Sequence, residues 1–129
     1  MANELTVNCS LEYESEDGPT FPVEPAEAVK ITLATDKPLF TIQTVSTSEE
    51  AIELGDISSR AICLLENLDT TNYIEIKVGT GGAIFAKLFP KGSAAGINFC
   101  LLSLGSGAQS PFAIANSGDC KMAISVFAL

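Results

Sequence analysis

The feature that most constrains this chain is a two-residue hydrophobic period broken at short intervals by Gly, Pro, Asn or Asp. Leu5, Val7, Cys9, Leu11 and Tyr13 alternate with Thr6, Asn8, Ser10, Glu12 and Glu14, the pattern of a half-buried strand. After a break at Asp17-Gly18-Pro19, strand-like runs recur at 31–35, 40–45, 61–66, 73–78, 83–89, 99–104, 112–115 and 121–129. The separators, among them Asp36-Lys37-Pro38, Asn67–Asn72, Gly79-Thr80-Gly81-Gly82 and Pro90-Lys91-Gly92-Ser93, are turn chemistry. Only 48–54 could open a helix, with Ser48 as cap, and Gly55 stops it within two turns; a short strand is the equal alternative. Many short strands with this punctuation predict an all-β fold, an antiparallel β-sandwich of jelly-roll-like type.

With 129 residues, the chain has the usual size of one domain, and one domain over 1–129 is expected. Residues 1–27 carry seven acidic side chains and no basic one, and Pro19, Pro22 and Pro25 suit an extended arm. The net charge of −9 repels polyphosphate and anionic lipid, and the seven basic residues are scattered, so neither nucleic acid nor membrane is an expected partner. Met1-Ala2-Asn3-Glu4 does not open a secretory signal, and no run is long enough to cross a bilayer. Cys9, Cys63, Cys100 and Cys120 each lie in an apolar segment, which predicts four reduced core thiols acting as small hydrophobes; disulfides are the alternative, with no pairing selected by the spacing. In the last strand Met122, Ile124 and Val126 alternate with Ala123, Ser125 and Phe127, so neither face is polar. A strand apolar on both faces needs cover on both, which makes Met122, Ile124, Val126 and Phe127 the candidate interface with a neighbouring subunit.

Histidine is absent, which removes the usual general base, a triad member and the commonest metal ligand. No catalytic, cofactor-binding or metal-binding residue is assigned, and no enzyme activity or cofactor is expected. A glycosidase would need two carboxylates across a cleft; Glu66 and Glu75 are the pair to weigh, and they read better as solvent-facing strand residues or partners of Lys77. Glu12, Glu14, Glu16 and Asp17 offer oxygen ligands without the spacing of a calcium loop and read as a solvated edge. Gly79-Thr80-Gly81-Gly82 lacks the lysine and the following helix of a phosphate loop and reads as a hairpin turn. Asn8-Cys9-Ser10 has the form of a glycosylation acceptor but falls within the expected first strand.

Three segments together carry a resemblance: Gly55-Asp56-Ile57-Ser58, then Leu65-Glu66-Asn67-Leu68-Asp69-Thr70-Thr71-Asn72-Tyr73-Ile74-Glu75-Ile76, then Phe85-Ala86-Lys87-Leu88-Phe89-Pro90-Lys91-Gly92. Over roughly residues 55 to 92 the chain resembles small virion proteins of tailed bacteriophages, with Lys91 separating a Pro and a Gly that are adjacent in that pattern. The resemblance implies a jelly-roll-like subunit, often a homotrimer, placed on the outside of the capsid as a cement or decoration protein. Its partners would be itself and the major capsid protein, and it would be made in the host cytoplasm. A tail, baseplate or fibre module and a carbohydrate-binding jelly roll are the alternatives. In these segments the resemblance implies turn geometry: Asn67, Asp69 and Asn72 fixing one turn, Tyr73 packing at its base, and Pro90 and Gly92 forming a second turn.

Overall fold

The computed structural model describes residues 3–13, 16, 21–23, 28–33, 38–55, 60–105 and 111–129. The chain divides into two units, Met1–Asp36 and Lys37–Leu129. All described elements are strands and every ladder is antiparallel; among the described residues no helix is long and apolar enough to cross a membrane.

In the N-terminal unit, β1 (Glu4–Val7) pairs with β4 (Val29–Thr32), and β2 (Leu11–Tyr13) pairs with β3 (Phe21–Val23). The expected strand over residues 5–14 is therefore two strands in two small sheets. A spacer of three residues joins β1 to β2, and five residues separate β3 from β4 in sequence. Asn8, Cys9 and Ser10 fall in that spacer rather than within a strand, and Cys9 is exposed, not a core thiol. Residues 1–27, the segment weighed as an arm, fall within this unit. The acidic run at 12, 14 and 17, and Pro19 and Pro25, lie outside the residues or side chains described.

The C-terminal unit is a two-layer antiparallel sandwich. One sheet has the order β10 (Phe99–Leu104), β7 (Ala61–Asn67), β12 (Cys120–Ala128), β5 (Leu39–Val45). The other runs β6 (Glu50–Ala51), β11 (Pro111–Ala115), β8 (Ile74–Val78), β9 (Ile84–Leu88). Alternation puts every second residue inside: Ala61, Cys63 and Leu65 of β7 and Cys120, Met122, Ile124 and Val126 of β12 meet Ile74, Ile76, Leu88, Ala113 and Ala115 of the facing sheet. The undecided segment at 48–54 holds the two-residue strand Glu50–Ala51 and no helix, the rest being irregular. Glu50 Oε1 accepts the Ser46 amide at 2.7 Å, and Ser46 Oγ accepts the Ser48 amide, so Ser46 and not Ser48 organises the turn.

Strand β5 inverts the simplest expectation of apolar-inside. Its inward residues are Leu39, Thr41, Gln43 and Val45, while Phe40 and Ile42 point outward. Buried Gln43 is fully matched: its amide nitrogen donates to Ala51 O at 2.9 Å and its oxygen accepts the Glu53 amide at 2.8 Å. That clasp ties the edge of one sheet to the edge of the other and fixes the register of β5. A slip by one residue would break both bonds.

Candidate functional site

Three places in the sandwich concentrate specific side chains: a junction of turns, a latch on the β8–β9 hairpin, and the outer face of the β10-β7-β12-β5 sheet.

The junction grows from Asn67, the fully buried last residue of β7. Its Nδ2 donates to the carbonyls of Asn72 (2.9 Å), Leu88 (3.2 Å) and Phe89 (3.2 Å), and its Oδ1 accepts the Asp69 amide at 2.9 Å. Asp69 Oδ2 accepts the amides of Thr71 and Asn72, the local side-chain bonding that makes Asx residues turn formers. The second turn closes by a bond from the Ser93 amide to Pro90 O at 3.0 Å, with Gly92 at φ 82°, a conformation that L side chains resist. The two turns are joined, because the Lys91 amide donates to Asp69 O at 2.7 Å. Tyr73 is half-buried beside them, with Lys87 Nζ 4.3 Å from its ring centre. The expected turn residues Asn67, Asp69, Asn72, Tyr73, Pro90 and Gly92 thus form one connected structure.

Three participants escaped the sequence reading. Asn98 exchanges bonds with the Asn67 backbone, its amide nitrogen reaching Asn67 O at 3.1 Å. Asn116 Oδ1 accepts the Tyr73 amide at 2.8 Å, and Ser117 Oγ donates to Asn72 Oδ1 at 2.6 Å. The available signal was an Asn or Ser abutting each strand end, which reads as punctuation until the partner turn is known.

On the β8–β9 hairpin, Gly79 and Gly81 have φ of 70° and 66°, and the Val78 amide closes the loop on Ala83 O at 3.1 Å. Glu49 reaches this loop: one carboxylate oxygen pairs with Lys77 Nζ, and the other accepts the Gly81 amide at 2.9 Å. The Lys77 ammonium, then the Gly81 amide, hold the Glu49 carboxyl below its ordinary value, against a smaller opposing effect of desolvation. Lys77 is therefore paired with Glu49, not with Glu66 or Glu75. Those two carboxylates lie on the outer faces of different sheets, Glu66 between buried Leu65 and Asn67 and Glu75 between buried Ile74 and Ile76. They do not share a cleft.

Among the candidate interface residues, Met122, Ile124 and Val126 are core side chains packed between the sheets and closed to any second chain. Both faces of β12 are apolar in sequence, and the period alone does not say which face turns inward. Phe127 lies on the opposite, outer face, where its ring meets Phe40 edge-on at 5.7 Å. That face is the unusual one. Phe40, Ile42, Phe99 and Leu101 expose 65, 60, 46 and 49 per cent of their surface, with Leu64, Ala123, Ser125 and Phe127 between them. Within the strands it carries only two charges, Glu66 and Lys121. The β8–β9 hairpin of the other sheet also exposes Val78, Ile84 and Phe85, but among the charged side chains of Glu75, Lys77 and Lys87.

Cys63 and Cys120 are buried and Cys100 is half-buried, all as free thiols. Burial pushes each of the three up to about 11, with a nearby Cys100 charge adding at Cys63 and Asp69 and Asp119 adding at Cys120. Among the described residues no group of three or more Cys, Asp or Glu side chains is placed to hold a metal ion. Comparison with protein-family models, curated proteins and solved structures finds no match to this chain.

Proposed function

We propose that this chain is a structural protein of a tailed-bacteriophage particle, a cement or decoration subunit seated on the outside of the head. The observation that carries the reading is strand order. Numbered within the C-terminal unit, the eight strands among the described residues pair 6-3-8-1 in one sheet and 2-7-4-5 in the other. First joins last, second joins seventh, third joins both sixth and eighth, a pairing that supports a jelly-roll reading, in which two Greek keys are wound together as in viral capsid and lectin domains. The segments carrying the phage resemblance supply β7, β8, β9 and the turn junction that ties them together. Such a subunit acts through area rather than through a reacting group: apolar sheet surface meets neighbouring subunits, and acidic surface stays in water.

A sugar-binding role draws less support. There is no Trp, and the ring of Tyr73 is occupied by Lys87. The test is reconstitution on heads that lack the protein. Saturable addition of the purified chain to the outer shell, with a higher temperature of head disruption, is the expected result. Chain that stays unbound while the heads accept other shell components would overturn the reading.

A further inference from the structure

We propose that the outer face of the β10-β7-β12-β5 sheet is a self-association surface, on which a second copy of this chain packs face to face about a two-fold axis parallel to the strands. This inference is independent of the phage assignment.

Three observations carry it. The first is area. The exposed parts of Phe40, Ile42, Phe99 and Leu101, with the half-buried apolar side chains between them, amount to about 500 Å² of apolar surface on one sheet face, interrupted by Glu66 and Ser125. That is near the upper end for a monomer, and a standard interface takes about 800 Å² from each partner. The polar rim of Thr44, Ser103, Glu66 and Lys121 supplies the balance. The second is the inversion of β5. Phe40 and Ile42 face outward because Gln43 is held inside by its two bonds to Ala51 and Glu53. A sheet face destined for water has no use for that register.

The third is charge placement. Cross-strand register sets Phe99, Glu66, Ala123 and Ile42 in one row, and Leu101, Leu64, Ser125 and Phe40 in the next. A two-fold along the strands lays β7 over the partner's β12 and β10 over the partner's β5. Phe99 then meets Ile42 of the partner subunit, and Leu101 meets Phe40 of the partner subunit. Glu66 falls over Ala123 of the partner subunit, one outward residue from Lys121 of the partner subunit. Glu66 and Lys121 of the partner subunit, the two charges within the strands of this face, thereby come within one outward residue of each other twice per pair, with Glu66 of the partner subunit one strand across in the same row, on chains that each carry a net charge of −9.

The experiment measures the mass of the full chain in solution by sedimentation and native mass spectrometry. The expected species has twice the 13.5 kDa chain mass. Glu66→Lys and Lys121→Glu should each weaken the pair by roughly tenfold or more, because each places like charges opposite one another. Mixing the two variants should restore it as a heterodimer, since one chain then presents two positive charges and the other two negative. Leu101→Glu, checked for folding by circular dichroism, should leave a monomer. A wild-type chain that is monomeric at about 100 µM, far above the Kd of a specific interface of this size, overturns the proposal. So does a trimer, or a dimer that neither Leu101→Glu nor the charge variants weaken.

Discussion

Asn67 shows how one residue can hold several segments. Its amide meets three carbonyls that belong to two different strand ends, and its oxygen turns the chain at Asp69. Removing it takes a donor from three backbone carbonyls, of which Asn72 O keeps only the weak Cys120 Sγ contact, and an acceptor from the Asp69 amide. Asn67→Ala should therefore cost about 3 kcal/mol, read as a lower urea midpoint with unchanged slope. Asn67→Asp should cost at least as much near neutral pH, because a carboxylate oxygen would replace the donor facing three carbonyls. This part was legible in the sequence, since Asn and Asp bond to backbone a few residues away, and spacing such as Asn67-x-Asp69-x-x-Asn72 reports that directly. What local spacing does not contain is the far side of the junction. Asn98 and Asn116 act across 31 and 43 residues of chain, and only the folded sheet brings them in.

At the scale of the element, the β8–β9 hairpin separates two glycine requirements that look alike in sequence. A Cβ on Gly82 would sit 1.7 Å from Val78 O, whereas a Cβ on Gly81 meets nothing within 4 Å and suffers only from its φ of +66°. Gly81→Ala should cost about 1 kcal/mol, and Gly82→Ala more than about 2 kcal/mol with loss of the hairpin amide protection. Equal effects of the two substitutions would contradict the loop geometry. The latch adds a pH dependence. Glu49 has its carboxyl lowered in the fold, so its contribution is present above the ordinary carboxylate value and is lost as pH falls through the folded one. Glu49→Gln should flatten the acid limb of the stability curve while leaving the alkaline limb alone. Strand existence was readable from periodicity here, and the extents of β7, β10 and β12 match the apolar runs within a residue. Orientation was not. β5 and β12 each offer apolar residues on both faces, and the choice is made by Gln43 in one case and by packing against the second sheet in the other.

For the C-terminal unit as a whole, cooperativity follows from which strands are central. β12, the last to be made, lies between β5 and β7, and β5 is paired with nothing else in its sheet. Most pairings span large sequence separations, so loop-closure entropy must be met before the core forms, and folding should be slow for this size and all-or-none. The three inner thiols report on this. Cys63 on β7, Cys100 on β10 and Cys120 on β12 belong to three neighbouring strands of one sheet. In native protein near pH 8, a thiol reagent should modify Cys9 at once. Cys63 and Cys120 should follow together, at a rate that rises with denaturant as global unfolding does. Labelling of Cys120 while Cys63 stays protected would mean that β12 detaches by itself. Alkaline pH should act in the same sense. The buried thiols are pushed up to about 11 from an ordinary 9.0, so they stay protonated in the fold while the unfolded chain ionises. Their contribution is complete below about pH 9 and is lost as pH rises toward 11. The urea midpoint should fall across that interval, and replacing Cys63 by Val, which cannot ionise, should make the fall shallower.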